Sequence, residues 1–318
     1  MGKKNKNHHP KDIVILVMGP SGAGKSTFIN HVLRKETMKV GRTQDSCTSE
    51  VIPAYIDPIP GFPELAGRRI TIVDTPGFDD TFKTDTEILE SMANWLEESY
   101  KDDGALLGGV IYVHDLSNDR FTGTAKRNLR MFREMCGDKA LGKVVITTTK
   151  WKKLLIMSDA RDETLAEERQ KELKSTHWKE ILDNGASVLS FRDNNDSAWA
   201  IVSNILSRLK QTELLHIYLQ IQKELGDEGK MIPETAAGKE LRKTLTQALE
   251  MQKQLTSMEK NSAAHGSEDA QQRLAEASEM IEQLLNQLRD LKIPFGLKVK
   301  RLFGLGHRRV DRASLKRV

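Results

Sequence analysis

Two cysteines in 318 residues, Cys47 and Cys136, leave this chain without a disulfide framework, as expected of a protein kept in a reducing cytosol. No apolar run approaches the roughly 20 residues that span a bilayer. The opening MGKKNKNHHPK has no apolar core of a secretory signal. Gly2 stands where an N-myristoylation start would, but position 6 is Lys6 rather than Ser or Thr. His8-His9 is too short a tract to argue for a metal site, and no aromatic-rich face supports specific nucleic-acid recognition. The hydrophobic content is low, 38%, beside 30% charged residues, which suits a compact domain with a polar helical appendage. The location expected is cytoplasmic.

What the chain does have is a complete GxxxxGKS phosphate loop, Gly19-Pro20-Ser21-Gly22-Ala23-Gly24-Lys25-Ser26. Ile13–Val17 before it reads as a buried strand, and Thr27 to Arg34 after it has helical spacing. A strand–glycine loop–helix unit aims successive backbone N–H groups and a helix N-terminus at one concavity, which prefers the phosphates of a nucleotide. The residues from Gly19 to Thr27 are therefore the expected nucleotide contacts. Gly22 and Gly24 permit the loop dihedrals, Lys25 reaches for the β- and γ-phosphates, and the Ser26 hydroxyl is a Mg²⁺ ligand.

A second motif, Asp74-Thr75-Pro76-Gly77, follows the strand Ile70–Val73 about fifty residues later. A carboxylate at a strand end holds Mg²⁺, often through water, and the Gly77 N–H can reach a γ-phosphate. Loss of that phosphate would release the following segment, the order–disorder switch of GTPases. Between the motifs a hydroxyl should complete the metal shell. Thr48 is placed best for this, just before the second strand, with Thr43 as runner-up.

The base-selecting motif is incomplete. Guanine is normally chosen by a carboxylate after an Asn/Thr-Lys-x lead. Here Thr149-Lys150 match, but Lys152 occupies the carboxylate position and cannot accept a hydrogen bond. Trp151 could stack on a purine or simply pack. Asn194 and Asn195 lie after the sixth strand, where a base-contacting loop is expected.

Strand patterns at Ile13–Val17, Val51–Ile56, Ile70–Val73, Gly109–Val113, Lys143–Thr148 and Ser187–Phe191 alternate with helical ones at Lys25–Arg34, Asp85–Tyr100, Thr122–Cys136, Asp162–Leu182 and Ser197–Leu209. Alternation predicts an α/β P-loop NTPase fold: a mostly parallel central sheet with helices on both faces. The stretch from Pro53 to Gly67, with four prolines, reads as a long turn between the second and third strands. The layout expected is a basic tail over 1–11, the nucleotide domain over 12–211, a helical extension over 212–293 and a basic tail over 294–318. In the extension, Leu274, Ala277, Ile281, Leu284, Leu288 and Leu291 keep a/d spacing up to Pro294, with a helix break near Asn261–Gly266. A hairpin packing on the main domain and a self-association seam both fit that spacing. The final tail carries eight Lys/Arg from Lys298 onward against Asp311 alone. An anionic membrane surface, nucleic-acid phosphates and plain solvent all suit it.

The segments GPSGAGKSTFINHVL, TIVDTPGFDDT and DRFTGTAKRNLRMFREMCG resemble the septin-like branch of GTPases, near the immunity-associated (GIMAP) and chloroplast outer-envelope import GTPases, and most of all the fungal G-domain proteins related to them. The resemblance runs from about Ile13 to Leu209. It implies GTP/GDP and Mg²⁺ as ligands and a nucleotide-dependent homodimer. It also implies that Arg120, after the fourth strand, lies near the dimer interface, where it could reach the partner's nucleotide or instead cap or pair on the surface. Phe78 stands where small Ras-like GTPases carry a water-orienting Gln, so slow intrinsic hydrolysis is expected. An ATP-dependent small-molecule kinase and a nucleotide-stabilised scaffold are the competing readings. The missing base-selecting carboxylate favours the first, and Phe78 the second.

Overall fold

The computed structural model describes residues 12–38, 51–78, 83–101, 106–118, 120–158, 164–209, 217–263 and 268–292. The chain forms two compact units, residues 1–241 and 242–318. In the first, apolar runs become strands β1 (Asp12–Met18), β2 (Ile52–Ile56), β3 (Arg69–Asp74), β4 (Leu106–Asp115), β5 (Val144–Thr149) and β6 (Ser187–Ser190). Between them run helices α1 (Lys25–Leu33), α2 (Asp85–Lys101), α3 (Gly123–Cys136), α4 (Trp151–Ser158), α5 (Thr164–Ser175), α6 (Lys179–Asp183) and α7 (Asn195–Arg208); α8 (Gln220–Gly226) follows.

The six strands lie in the order β2-β3-β1-β4-β5-β6. Only β2 is antiparallel to its neighbour; the other pairs are parallel. The chain steps from β1 to β3 on one side and to β4 on the other, so the strand order reverses at β1. In open parallel sheets, ligands bind at such a reversal, beyond the carboxyl ends of the strands. The phosphate loop leaves β1 at that end.

Period-two alternation assigns the faces. Ile13, Ile15 and Val17 of β1 join Ile111, Val113 and Val145 in one core, with Phe28, Ile29 and Val32 of α1 and Ile201, Val202 and Ile205 of α7. On β4, Tyr112 faces α3, its ring 4.7 Å from that of Phe132. Further along, α8 packs on α2 and α3, and Gln222 donates to the Leu96 carbonyl at 3.3 Å. The buried Glu224 accepts the Ala236 N–H at 3.1 Å, where the next helix, α9 (Ala236–Ala263), begins. These contacts carry the first unit past residue 211. The second unit holds the rest of α9 and α10 (Glu268–Asp290). Its Arg273–Glu259 ion pair, 3.3 Å, joins the two helices. Within it, Ala277, Leu284 and Leu291 of the a/d stripe are buried.

Three local differences from the sequence reading have physical causes. Pro53 sits inside β2, as the strand pattern over Val51–Ile56 expects, so the turn read from Pro53 onward starts only after Ile56; an edge strand tolerates the proline because no ladder N–H is needed there. The expected helix over 162–182 divides into α5 and α6. The Ser175 and Thr176 hydroxyls both bond the Glu172 carbonyl, competing with the helix ladder, and the chain turns to bury Trp178 completely. Helix α4, immediately after β5, has too few residues to show a period.

At the start of β1, Asp12 is fully buried and held by Arg69 Nε and Nη2, at 2.7 and 3.1 Å, and by the Thr71 hydroxyl at 2.8 Å. The carboxylate in turn holds the Arg69 guanidinium above its usual pKa, through the hydrogen bond. Arg69→Met removes the charged partner from a buried carboxylate. We expect a loss of about 2–3 kcal/mol in denaturant unfolding; a loss below about 0.5 kcal/mol would mean water replaces the guanidinium.

Candidate nucleotide site

Gly19 leaves β1 with φ +143°, and a Cβ there would collide with the Val113 carbonyl oxygen of β4. The turn continues through Gly22 (φ +70°) to Gly24 (φ +99°), which caps α1 without any side-chain hydrogen bond. The first N–H groups of α1, from Lys25, Ser26 and Thr27, therefore face the loop's hollow uncapped by a side chain. Ala23 is buried and fixes the loop from beneath: its carbonyl accepts the Thr149 hydroxyl at 2.7 Å.

The segment after β3 docks on this loop. The Ser21 N–H donates to the Phe78 carbonyl at 3.1 Å, and Pro20 and Phe78 form a parallel bridge. The Thr75 hydroxyl bonds the Val17 carbonyl at 2.8 Å. Gly77 lies so close that a Cβ would overlap the Ser21 backbone and come within 2.8 Å of Lys25 Nζ. The Lys25 ammonium arches over the loop, donating to the Gly19 and Pro20 carbonyls at 3.1 and 2.9 Å. Below it the Ser26 hydroxyl donates to Asp74 Oδ2 at 2.7 Å, and Asp74 is fully buried. A hydroxyl and a carboxylate oxygen in contact, beside an anion-binding loop, are the donor set that suits Mg²⁺ with phosphate oxygens. The residues fit that ion. Thr48 and Thr43 lie outside the described residues. Phe78 is buried, 3% exposed, and brings no polar side-chain atom to the site.

On the base side the expected residues divide. Thr149 is buried and spends its hydroxyl on the Ala23 and His114 carbonyls. Lys150 adopts φ +59° and pairs with Asp115 at 2.8 Å. The Asp115 carboxylate also accepts the Ser117 N–H and hydroxyl, at 2.8 and 2.7 Å. Burial opposes its charge, but these bonds, led by Lys150, hold its pKa below the usual carboxylate value. Trp151 does not serve as a stacking platform. It is 2% exposed in a cluster with Leu116, Leu154 and Ala166, its indole N–H bonds Thr148, and Arg192 covers its ring at 3.6 Å. Asn194 caps α7 by accepting the Ser197 N–H at 2.8 Å, and Asn195 contacts His31 Nδ1 at 2.8 Å. Asp115 and Arg192 belong to this corner and escaped the sequence reading, since no motif spacing marks them.

Arg120 is exposed between β4 and α3. The residues after it are anchored: Phe121 stacks on His177 with centroids 4.1 Å apart, and the Thr122 hydroxyl caps α3 by accepting the Ala125 N–H at 3.1 Å. His114, buried at the end of β4 against Phe121 and Trp178, has its pKa lowered to about 4. Burial is the main cause; His177 adds to it and Asp115 opposes it. A histidine depressed when folded and ordinary when unfolded contributes stability above pH 6.5 that is lost as pH falls toward 4. We expect His114→Phe to flatten the stability–pH curve in that window, removing about 3 kcal/mol of its fall. Equal slopes in urea unfolding from pH 7 to 4 would contradict this.

The AIG1 family model matches residues 13–196, more than half of the chain. No curated protein sequence matches it. Among solved structures, Toc33 from Arabidopsis thaliana, in complex with GDP and Mg²⁺, is similar at 15% identity and TM-score 0.47, over 66% of this chain and 88% of that one. Era from Aquifex aeolicus, bound to GDP and aluminium fluoride, is similar at 17% identity and TM-score 0.43, over 62% of this chain and 56% of that one. The family match takes in the phosphate loop, the Asp74–Gly77 turn, Arg120 and the turn after β5; the chain belongs to the AIG1 family.

Proposed function

We propose that the chain is a GTP-binding switch that uses Mg²⁺ and hydrolyses GTP slowly unless two copies meet. The observation that carries this is the packing of Gly77 and Asp74 against Ser21, Lys25 and Ser26. With so little space between the two loops, a γ-phosphate entering between Lys25 and Gly77 must touch both. The Lys25 ammonium would exchange its two carbonyl acceptors for phosphate oxygens, and the Gly77 N–H would bind the terminal phosphate. Mg²⁺ held by Ser26 and Asp74, with Thr48 as its expected third protein ligand, would neutralise charge on the β- and γ-phosphates. Release of the terminal phosphate would free the segment that follows Gly77. Family membership supports a GTPase over a small-molecule kinase.

The buried Phe78 offers attacking water no hydrogen-bonding partner, which supports slow turnover by one copy alone. Arg120 is exposed on an anchored segment, a good arrangement for a guanidinium delivered to the nucleotide of a second copy. The basic segment over 294–318, outside the described residues, is our candidate contact to an anionic membrane surface, with the chain otherwise cytoplasmic.

Two measurements test the reading. Thermal unfolding with Mg²⁺ and GTP, GDP, ATP or ADP should show stabilisation by the guanine nucleotides, as mass action requires of a ligand bound only by the folded state. Lys25→Ala should lose most of that shift. Stabilisation by ATP alone would remove the proposal. For hydrolysis, turnover per molecule should climb with protein concentration. Arg120→Ala should lower the assisted rate by about 10³-fold with GTP affinity unchanged. Specific activities that match the wild type at every concentration would rule the arginine out.

A further inference from the structure

Arg120 lies on the segment that joins β4 to α3, and the described part of this segment is gripped by α5 and the turn that follows it. At the start, the Leu116 N–H donates to the Thr149 carbonyl at 3.2 Å, and Arg169 of α5 donates to the Leu116 carbonyl at 3.4 Å. Asp115 closes the first bend by accepting the Ser117 N–H and hydroxyl. At the far end the Thr122 hydroxyl caps α3. Arg120 itself is exposed.

Between the bend and the cap, Phe121 is held by two imidazole rings from different elements. His177, in the turn between α5 and α6, stacks on it with centroids 4.1 Å apart and ring planes 13° apart. His114, at the end of β4, tilts against it at 5.6 Å. His114 in turn meets Trp178 edge-on at 5.2 Å, and Trp178 is fully buried. The four rings run from the core to the surface, and His177 is the half-buried outer member. Its pKa is lowered, by burial first and by Lys126 second, so at pH 7 the imidazole is neutral and offers Phe121 a flat, uncharged face. A stacked pair at this distance gains contact energy beyond its burial, and fixing a ring fixes the backbone that bears it. With Phe121 and Thr122 held, the Cα–Cβ bond of Arg120 has a defined direction, and only the torsions of its own side chain stay open.

We propose that His177 is a positioning residue for assisted GTP hydrolysis: its ring, stacked on Phe121, aims Arg120 at the nucleotide of a second copy. The inference rests on the concentration-dependent hydrolysis proposed above and names the group that orients its arginine. His177 acts through Phe121 and not on the nucleotide. A guanidinium that must meet phosphates from one direction loses rate steeply when its base is loose, since a displacement of ~1 Å costs about 100-fold.

The test uses the full chain with Mg²⁺ and GTP and follows turnover per molecule from dilute protein to the plateau reached when all copies are paired. His177→Ala should lower the plateau roughly 10- to 100-fold. The protein concentration that gives half of the plateau should stay at the wild-type value. So should the rate of dilute protein, where no partner arginine is present. His177→Tyr, which restores a flat ring, should recover most of the plateau. Phe121→Ala should lose at least as much as His177→Ala, and adding His177→Ala to it should cost nothing further, because the two changes break one contact. An unchanged plateau in His177→Ala would overturn the assignment while leaving assisted hydrolysis in place. A raised half-plateau concentration with the plateau intact would make His177 part of the association surface and overturn it as well. A wild type whose turnover ignores protein concentration would remove the assisted reading itself, and the assignment with it.

Discussion

The contact between the phosphate loop and the segment after β3 is the constraint on which this molecule's chemistry depends. It is made by small atoms at short range: Ser21 N–H to the Phe78 carbonyl, Gly77 against the Ser21 backbone, Ser26 hydroxyl to Asp74. Gly77 has no room for a side chain at the seam. The spacing of the two loops is therefore set by backbone, and backbone spacing is what a row of phosphate oxygens measures. Gly19 meets the same demand one step earlier, where β1 must pass the Val113 carbonyl before it turns.

That seam is held from outside by the sheet. Thr75 ties the β3 turn to β1, and Thr149 ties the loop to the ends of β4 and β5. Two threonine hydroxyls thus connect the switch segment and the base-side turn to one scaffold. Lys150 and Asp115 add a charged pair where water is only partly excluded; the lysine side chain is 30% exposed and the carboxylate 11%. Ser117 supplies the carboxylate's remaining donors, so the pair sits in a satisfied network rather than as an isolated buried charge.

The molecule separates rigid from presented groups. Phe121 and Thr122 are fixed by stacking and capping, and Arg120 beside them stays exposed. Arg192 and Asn194 are fixed by a cation–π contact and a helix cap, on either side of Asp193. In each case a charged residue is placed by fixed neighbours. This is the economy expected of groups that must meet a ligand or a second copy in a defined direction.

Much of this was legible in the residues. The glycine spacing of 19–26, the strand before it and the carboxylate at 74 announce a phosphate site because backbone geometry and metal chemistry each allow few residue types. The six strands were legible too, since buried parallel strands are short apolar runs. Where the period was too short, as in α4, or where hydroxyls competed with the helix ladder, as at Ser175 and Thr176, the sequence carried no clear sign. Trp151 shows the deeper limit. A tryptophan in a base-recognition turn reads as a stacking ring until Leu154, Ala166 and Arg192 are seen to enclose it. The sequence by itself determined that the chain binds phosphate through a helix N-terminus on a parallel sheet, because those local rules act over a few residues. Only the tertiary structure decided which side chains are already engaged on the base side, because that depends on partners distant in sequence, such as Asp115 for Lys150 and Arg192 for Trp151, choosing one another in space.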